Sequence, residues 1–381
     1  MPLSPPPESV EALLAAMVAV DTVNPAFGGP SDGQARLATL LETLAQSWGL
    51  RTQREPVPEG GFNLIVTTEV TPNAEWLLFE SHLDTVSVEG MSVAPFTLTE
   101  RAGRLHGRGA CDTKGSGAAM LWALRAFARE PARPRNAGLV FVVDEEAGMS
   151  GAQTFARGAL RMFARLRGII VGEPTHLRPV VAHNGALRWR TITRGVAAHS
   201  SDPTKGRSAI SAMVKVVAAL EEHFVPLARA AHPLTGRAAA SINVIRGGQA
   251  GNIIPDYCEI HCDRRLVPGE DVDTVLADRD RVLAGLSVEH DGVYLAPPLP
   301  PETSASFHQW LQPAFTAQGV DGRGQGASYA TDASHYAAAG APVIVLGPGD
   351  IAQAHTRDEW LARDALEKAV AFYGSVLRLP S

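Results

Sequence analysis

The sequence predicts an α/β protein that carries a second, smaller α+β domain as an insertion. Near both ends of the chain, short apolar runs that finish in glycine-rich or acidic turns alternate with helical patterns. This alternation is typical of a mostly parallel sheet flanked by helices. The middle of the chain has the order strand, helix, strand, strand, helix, strand, which is the ferredoxin-like order.

The outer domain is predicted from its apolar runs and its periodic segments. Short apolar runs bounded by turn residues fit strands that are buried on both faces of a sheet, and apolar residues at helical spacing fit the helices that cover it. Ligands of such sheets bind beyond the carboxyl ends of the strands. The predicted strands are residues 76–79, 139–143, 169–171 and 343–346, and the predicted helices are residues 9–20, 36–46, 115–129 and 358–377.

The inserted domain is predicted at residues 186–296. A proline-rich segment at residues 296–301 marks the return to the outer domain, because prolines interrupt both helices and sheets. The outer domain is therefore formed by residues 1–185 and 297–381. Within the insertion, strands are predicted at residues 189–196, 241–246, 257–266 and 287–295, and helices at residues 208–223 and 272–286.

Composition excludes several classes of protein. The chain has 381 residues, of which 45% are hydrophobic, and its net charge is −6, which excludes a mainly disordered chain. The acidic balance and the scattered basic residues argue against a nucleic-acid partner, and no apolar run reaches the roughly 18 residues of a membrane span. The three cysteines are an odd and sparse set, which argues against a disulfide framework and indicates a reducing, cytoplasmic location.

One group of residues has a spacing that could suggest a metal site. Cys258, His261 and Cys262 lie within five positions of the chain. In a strand, however, the two cysteines share one face and the histidine points to the other. We therefore predict that this segment is a structural strand.

Five polar side chains lie in the turns and loops that follow predicted strands or in the glycine-rich turn that opens a predicted helix. Imidazole and carboxylate groups suit Zn²⁺, and Co²⁺ and Mn²⁺ also accept them. Two histidines and three carboxylates exceed the needs of one catalytic zinc, but they suit two metal ions about 3.5–4 Å apart that share one carboxylate. We expect Asp112 to be the shared ligand, because its glycine-rich turn lets the backbone come close. The five are His82, Asp112, Glu146, Glu173 and His355.

Two further carboxylates flank these ligands. Asp84 comes two residues after His82, where it can accept the free ring N–H of that histidine and fix its tautomer. Glu145 adjoins Glu146 and so points elsewhere, which leaves it free to take the proton of an attacking water and pass it to a leaving amine. Simpler interpretations stay open at this point: an acidic pair after a strand also serves as a helix N-cap, and a His-x-Asp pair also occurs as an ordinary hydrogen-bonded pair.

Five motifs, in this order, resemble those of the M20 zinc peptidases and deacylases, in particular the acetylornithine deacetylase and succinyl-diaminopimelate desuccinylase group. The resemblance covers nearly the whole chain. One departure is Thr113, where methionine is usual in the group, and it affects no ligand. The motifs are Ser81-His82-Leu83-Asp84-Thr85-Val86, Gly107-Arg108-Gly109-Ala110-Cys111-Asp112-Thr113-Lys114-Gly115, Asp144-Glu145-Glu146, Gly172-Glu173-Pro174-Thr175 and Ala354-His355-Thr356.

The resemblance implies which residues hold the metal ions. His82 and Glu173 would hold one zinc ion, and Glu146 and His355 would hold the other. Asp112 would bridge the two. The outer domain would then be the catalytic domain.

The resemblance also implies roles for residues outside this ligand set. Glu145 would be the general base, and Asp84 would orient a ligand histidine. His199, in the inserted domain, would stabilise the oxyanion in the partner's active site, so that this domain would serve as a lid and as a homodimer interface. Asn252 and Arg265 would bind the substrate near its carboxylate, which a planar guanidinium suits. Taken alone, His199 also fits a surface histidine and Arg265 a solvated strand charge.

The activity implied is that of a cytoplasmic di-zinc amidohydrolase that acts on small N-acyl amino acids. Residues 95–100, 199–203 and 346–355 look most like acetylornithine deacetylases, which implies cleavage of N-acetylornithine to ornithine and acetate in arginine biosynthesis. Succinyl-diaminopimelate desuccinylases, carboxypeptidases, dipeptidases and aminoacylases share the metal set and stay open as alternatives. A non-catalytic binding homologue is a remote alternative, because the proposed base, ligands and oxyanion donor are all present.

Overall fold

A computed structural model describes residues 6–229 and 231–381. The chain divides into two compact units. The first runs to Val181 and resumes at Pro301–Gln325 and Thr331–Ser381, and the second comprises Ala182–Pro300 and Gly326–Ala330. The domain boundaries placed at residues 186 and 296 stay a prediction.

Helices and strands are numbered in chain order. The helices of the described residues are α1 (Val10–Val18), α2 (Gly33–Ser47), α3 (Lys114–Ala128), α4 (Ser150–Arg157), α5 (Ala209–Phe224), α6 (Val272–Val282), α7 (Pro301–Gln318), α8 (Ala333–Ala338) and α9 (Arg363–Leu377). The strands are β1 (Arg51–Pro56), β2 (Phe62–Thr68), β3 (Trp76–His82), β4 (Thr99–Arg101), β5 (Arg104–His106), β6 (Asn136–Val142), β7 (Leu166–Val171), β8 (Val180–His183), β9 (Gly185–Arg194), β10 (Ala198–His199), β11 (Ala231–His232), β12 (Gly236–Arg237), β13 (Ala239–Gly247), β14 (Ile253–Ile254), β15 (Tyr257–Leu266), β16 (Val288–Ala296), β17 (Gln325–Ala327), β18 (Val343–Val345) and β19 (Trp360–Ala362).

The first unit is built on a large mixed sheet, in which its strands follow the order β1-β2-β6-β3-β7-β18 and are followed by the first residues of β8. Its central pairs, β6 with β3, β3 with β7 and β7 with β18, are parallel. Towards the edges, β1 with β2, β2 with β6 and β18 with β8 are antiparallel. The α/β class predicted from the sequence is confirmed, with the parallel strands confined to the centre of the sheet.

The central strands are buried because both faces of the sheet are covered. Every residue of β3 and of β6 is buried, as their continuous apolar sequences predict. Helix α3 packs on these strands and against α9. Helix α1 starts at an N-cap that the local sequence supplies. The Ser9 hydroxyl accepts a hydrogen bond from the Ala12 N–H, and such a cap contributes about 1 kcal/mol to helix stability.

The second unit contains a four-stranded antiparallel sheet in the order β13-β15-β9-β16. Helices α5 and α6 contribute to its core. This arrangement confirms the ferredoxin-like order predicted for the middle of the chain. Cys258 and Cys262 are buried in that core, while His261 lies on the opposite face beside Glu259, so the prediction of a structural strand is confirmed.

One predicted helix begins too early. Residues 358–377 were expected to form a single helix, but Trp360–Ala362 is strand β19, which pairs antiparallel with β5, and α9 begins at Arg363. The pairing explains the difference: these residues have a strand partner 250 or more positions away, which helical periodicity does not reveal.

In the described part of the chain, every helix is too short or too polar to cross a membrane.

Candidate metal centre

Three parallel strands bring the predicted ligands to one edge of the sheet. Strand β3 ends at His82, β6 runs into the acidic turn at residues 144–146, and β7 is followed by Glu173. Because these strands are parallel neighbours, their carboxyl ends meet. The sheet therefore places three of the four motifs that carry terminal ligands side by side.

Asp112 enters this edge from the turn that precedes α3. Gly109 in that turn has φ +81°, and a Cβ on it would lie 2.9 Å from the Lys114 side chain, so the turn requires glycine. The Asp112 carboxylate lies between two imidazoles: Oδ1 is 3.2 Å from His82 Nε2, and Oδ2 is 3.4 Å from His355 Nε2. Each carboxylate oxygen thus faces a different histidine, as expected of a shared ligand.

The two remaining carboxylates complete the two halves of the cluster. Glu146 Oε2 lies 3.0 Å from His355 Nε2, and Glu173 Oε1 lies 3.9 Å from His82 Nε2. In addition, His82, Asp112 and Glu146 present ligand atoms that all lie within 4.8 Å of one another. The structure therefore brings all five predicted ligands together, in two groups joined by Asp112.

The electrostatics of the cluster fit a cationic ligand. Burial raises the pKa of Glu173 well above its usual range, and burial together with the charge of Asp112 raises the pKa of Glu146 to about 7. Hydrogen bonds to Asp112 and Glu146 raise the pKa of His355 to about 10. Buried carboxylates outnumber their cationic partners, so divalent metal ions suit this donor set.

Asp84 faces the ring Nδ1 of His82 with both its backbone carbonyl and its carboxylate, which form a hydrogen bond and an ion pair with the imidazole. The ring Nδ1 of His82 lies 2.9 Å from the backbone carbonyl oxygen of Asp84 and 3.6 Å from its carboxylate, so the carbonyl fixes the tautomer. The Asp84 carboxylate also accepts the backbone N–H groups of Glu145 (3.0 Å) and Glu146 (3.1 Å). Its geometric effect is to hold the acidic turn against β3.

Glu145 is half-buried in this turn, next to the cluster. Burial raises its pKa well above the usual range, opposed by His82 and reinforced by Asp332 and Glu146. Its own charge in turn raises the pKa values of His82 and Glu173. Glu145 is therefore an acid of raised pKa beside the candidate metal ligands.

The other three predicted residues belong to the second unit. His199 and Asn252 lie together, because β10 pairs with β14 and the Ser200 N–H donates to the Asn252 carbonyl at 3.0 Å. The His199 side chain is exposed. Arg265 lies near the opposite end of β15, where its Nε donates to Asp263 Oδ1 at 2.8 Å.

Two buried residues that the sequence reasoning did not identify support the centre. The Asn24 side-chain amide donates to Asp84 Oδ2 (2.8 Å) and to Asp144 Oδ1 (2.9 Å). Glu359 is fully buried and accepts hydrogen bonds from the turn that carries Asp112. A polar residue that packs against a ligand motif far away in the chain leaves no local sequence signal.

Comparisons with known proteins identify the family of the chain. Residues 78–379 match the model of peptidase family M20/M25/M40. The chain is 32% identical over 365 residues to an acetylornithine deacetylase of Edwardsiella ictaluri (strain 93-146), with 93% of each chain covered.

Solved structures with the same fold extend the comparison. The M20 family metallo-carboxypeptidase Sso-CP2 from Sulfolobus solfataricus is similar at a TM-score of 0.80 and 18% identity, with 98% of this chain and 99% of that chain covered. The YXEP protein of Bacillus subtilis, a dinuclear metal binding peptidase from the M20 family, is similar at a TM-score of 0.68 and 14% identity, with 97% and 96% covered. With the family match over most of its length, the chain belongs to peptidase family M20/M25/M40 and is a metal-dependent hydrolase of that family.

Proposed function

We propose that this hydrolase is a di-zinc deacetylase that cleaves N-acetylornithine to ornithine and acetate. The observation that carries the proposal is the position of Asp112 between two imidazoles, with the acid Glu145 beside them. Similarity to an acetylornithine deacetylase supports the choice of substrate.

The proposed ligands divide into two sets. His82 and Glu173 would hold one zinc ion, Glu146 and His355 the other, and Asp112 both. Zinc bound there would supply Lewis acidity, which polarises an acyl carbonyl and lowers the pKa of water. Co²⁺ fits the same donor types.

The chain's own groups would then move the protons. In the proposed reaction, Glu145 takes a proton from the attacking water, whose oxygen bonds to the acyl carbon. The C–N bond breaks, and Glu145 passes the proton to the leaving nitrogen, so that acetate and a free amine result. Asp84 would keep Glu145 in place through the backbone N–H that it accepts.

His199 is proposed to donate a hydrogen bond to the developing oxyanion. The Ser201 backbone N–H donates to His199 Nδ1 at 3.2 Å, so in the neutral ring the proton is on Nε2. Nε2 is then a donor for negative charge on the substrate oxygen. Asn252, next to His199, and Arg265 are proposed to bind the substrate near its carboxylate.

We propose that these residues act in a homodimer formed through the second unit. Arg265 is eight residues along β15 from Tyr257, which corresponds to roughly 26 Å at the usual rise per residue. The β10–β14 pair, which contains His199 and adjoins Asn252, is connected to the end of the sheet where Tyr257 pairs with Arg194. An N-acetyl amino acid is shorter than about 11 Å, which favours contributions from two copies. Among the described strands of this sheet, β13 lies at an edge, where a strand of a second copy can pair with it.

The location proposed for this enzyme is the cytoplasm. All three cysteines are buried free thiols, which supports a reducing compartment. A place in arginine biosynthesis follows from the proposed product, ornithine.

A substrate panel tests the proposal. Purified protein with Zn²⁺ or Co²⁺ would be assayed for amine release from N-acetylornithine, N-succinyl-diaminopimelate, other N-acetyl amino acids and dipeptides. We expect strong preference for N-acetylornithine and complete loss of activity on chelation. Preference for another panel member would overturn the substrate, and inactivity on all of them by a protein that binds two metal ions would overturn the proposed deacetylase activity.

A further inference from the structure

We propose that Glu359 is a positioning residue of the metal centre, whose carboxylate fixes the turn that carries Asp112 relative to the segment that carries His355. This inference rests on the proposed function, because it takes Asp112 and His355 as metal ligands. Glu359 itself contacts no ligand side chain in the described hydrogen bonds, and it acts through backbone.

The Glu359 carboxylate accepts hydrogen bonds from one continuous turn. Its Oε1 accepts the backbone N–H groups of Cys111 (2.9 Å) and Asp112 (3.0 Å). Its Oε2 accepts the Gly109 N–H (3.0 Å) and the Arg108 guanidinium (2.8 Å). Three converging backbone N–H groups form a concave anion site of the kind that usually holds a phosphate or carboxylate, and here a side chain of the same chain fills it.

The hydrogen bonds between Glu359 and this turn are shielded from water. Glu359 is fully buried and the Arg108 side chain is 4% exposed. Arg108 is anchored at its other end by a hydrogen bond to the Ser87 carbonyl at 2.9 Å. Charge-assisted hydrogen bonds in such surroundings are stronger than neutral ones, so the turn has one preferred position against Glu359.

The same segment carries His355 four residues earlier. His355 has a left-handed backbone with φ 62°, which few non-glycine residues adopt, so its position depends on flanking contacts. After Glu359 the chain enters β19, which pairs with β5, and the Glu359 carbonyl accepts the Gly107 N–H at 3.2 Å. Glu359 therefore joins the turn that carries Asp112 to the segment that carries His355.

A glutamine at this position would break the arrangement while keeping its size. Its amide nitrogen is a hydrogen-bond donor, whereas every partner of the Glu359 carboxylate is also a donor. In either orientation of the amide, the nitrogen would therefore face two donors, and the hydrogen bonds at that position would be lost. Arg108 would also stay buried without an anionic partner. Residues that orient metal ligands typically change metal affinity or activity about 10–100-fold when replaced.

Glu75 offers a matched control at the other end of the strands. It precedes β3 and pairs with the buried Arg135 at 3.1 Å and with Arg167 at 2.7 Å. Glu75→Gln removes a buried glutamate–arginine pair, as Glu359→Gln does, but it touches no turn that carries a proposed ligand. Any effect of general destabilisation should appear in both variants.

The experiment measures Co²⁺ and Zn²⁺ dissociation constants by chelator competition, together with the visible absorption spectrum of the Co²⁺ form and the thermal midpoint. For Glu359→Gln we expect about 10–100-fold weaker binding and an altered Co²⁺ spectrum, with Glu359→Asp between it and the wild type. For Glu75→Gln we expect a lower thermal midpoint with unchanged metal affinity and spectrum.

The outcomes separate this inference from the proposed function. Wild-type affinity and spectrum in Glu359→Gln, or in Glu359→Asp where the glutamine variant does not fold, would overturn the positioning role. Equal weakening in Glu75→Gln would overturn it too, because the effect would then be general. Equal metal binding by the wild type and Asp112→Asn would instead overturn the proposed metal centre itself.

Discussion

His355 Nε2 lies 3.0 Å from a carboxylate oxygen of Glu146, although the two residues are 209 positions apart in the chain. Their pairing closes one half of the cluster, and Asp112 connects it to the half that contains His82. The proposed metal centre therefore depends on the C-terminal segment, which contributes one side chain to it.

Replacement of His355 by alanine should remove one of the two proposed metal ions. Glu146 and Asp112 would remain but would lack the imidazole that completes their set. We expect the zinc content per chain, measured by plasma emission spectrometry after dialysis, to fall by about half, with loss of hydrolysis. His223→Ala, in helix α5 of the second unit, is the control and should keep the full content. Unchanged zinc content in His355→Ala would exclude the histidine as a ligand.

Asn24→Ala should lower turnover more than it lowers stability. The amide of Asn24 separates the carboxylates of Asp84 and Asp144 and donates to both, so its loss frees two like charges to move apart and shifts the acidic turn. We expect kcat to fall about 10–100-fold, the range for residues that orient metal ligands.

Asn136→Ala is a matched control for this variant. Asn136 is an equally buried amide with several hydrogen bonds, at the start of β6. It should lower the thermal midpoint and leave kcat of the folded enzyme unchanged. A similar loss of kcat in both variants would show that Asn24 has only a structural effect.

Glu145→Gln should keep the fold and the metal ions while losing turnover. The side chain is proposed to carry the proton and not to bind metal, and general acid–base groups contribute about 10²–10⁴-fold to rate. The measurement is kcat on N-acetylornithine alongside zinc content. Retained turnover in the metal-replete variant would rule out Glu145 as the base.

The sequence predicted the polar edge of the sheet well because its signals are local. Buried parallel strands require continuous apolar runs, and polar residues directly beyond them must lie at the carboxyl edge of the sheet. That reasoning placed His82 and Glu173 at the edge of the sheet where the structure has them, while their role as ligands stays a prediction. The residues that support the centre could not be found in this way. Asn24 and Glu359 act on ligand motifs 60 or more positions away, and only the tertiary fold specifies those contacts.

The role of Asp84 shows a related limit. Its spacing from His82 suggested a contact through the carboxylate, but the backbone carbonyl of the same residue makes the shorter contact. Sequence spacing specifies which residue is near a ring nitrogen, not which of its oxygens points there. The carboxylate, besides facing His82 at 3.6 Å, accepts the N–H groups of the acidic turn, a relationship that needs the parallel pairing of β3 with β6.

His335 should make the protein sensitive to acid. Its Nε2 is buried with no hydrogen-bond partner among the described residues, and burial, with the charge of Arg157, lowers its pKa from 6.5 to about 4. Between these values the unfolded chain binds a proton that the folded chain does not, so stability falls as pH decreases from 6.5 to 4, by roughly 3 kcal/mol in total.

His335→Gln removes this titration. The free energy of unfolding, measured with urea at pH 7.5 and pH 5, should fall less in the variant than in the wild type. An identical fall in both proteins would show that His335 does not contribute to the acid sensitivity.

Mixed dimers should show whether His199 acts in the partner's active site. A dimer of one His199→Ala chain and one Glu145→Gln chain has one site with both residues intact if His199 acts across the interface, and none if it acts within its own chain. Because the two sites of a symmetric dimer are equivalent, we expect the mixed dimer, isolated with two different affinity tags, to recover about half of the wild-type turnover. A His199→Ala chain paired with a chain that carries both substitutions has no complete site in either case, so it gives the baseline. Activity of the mixed dimer at that baseline, or a chain that stays monomeric, would mean that His199 does not complete the site of a second copy.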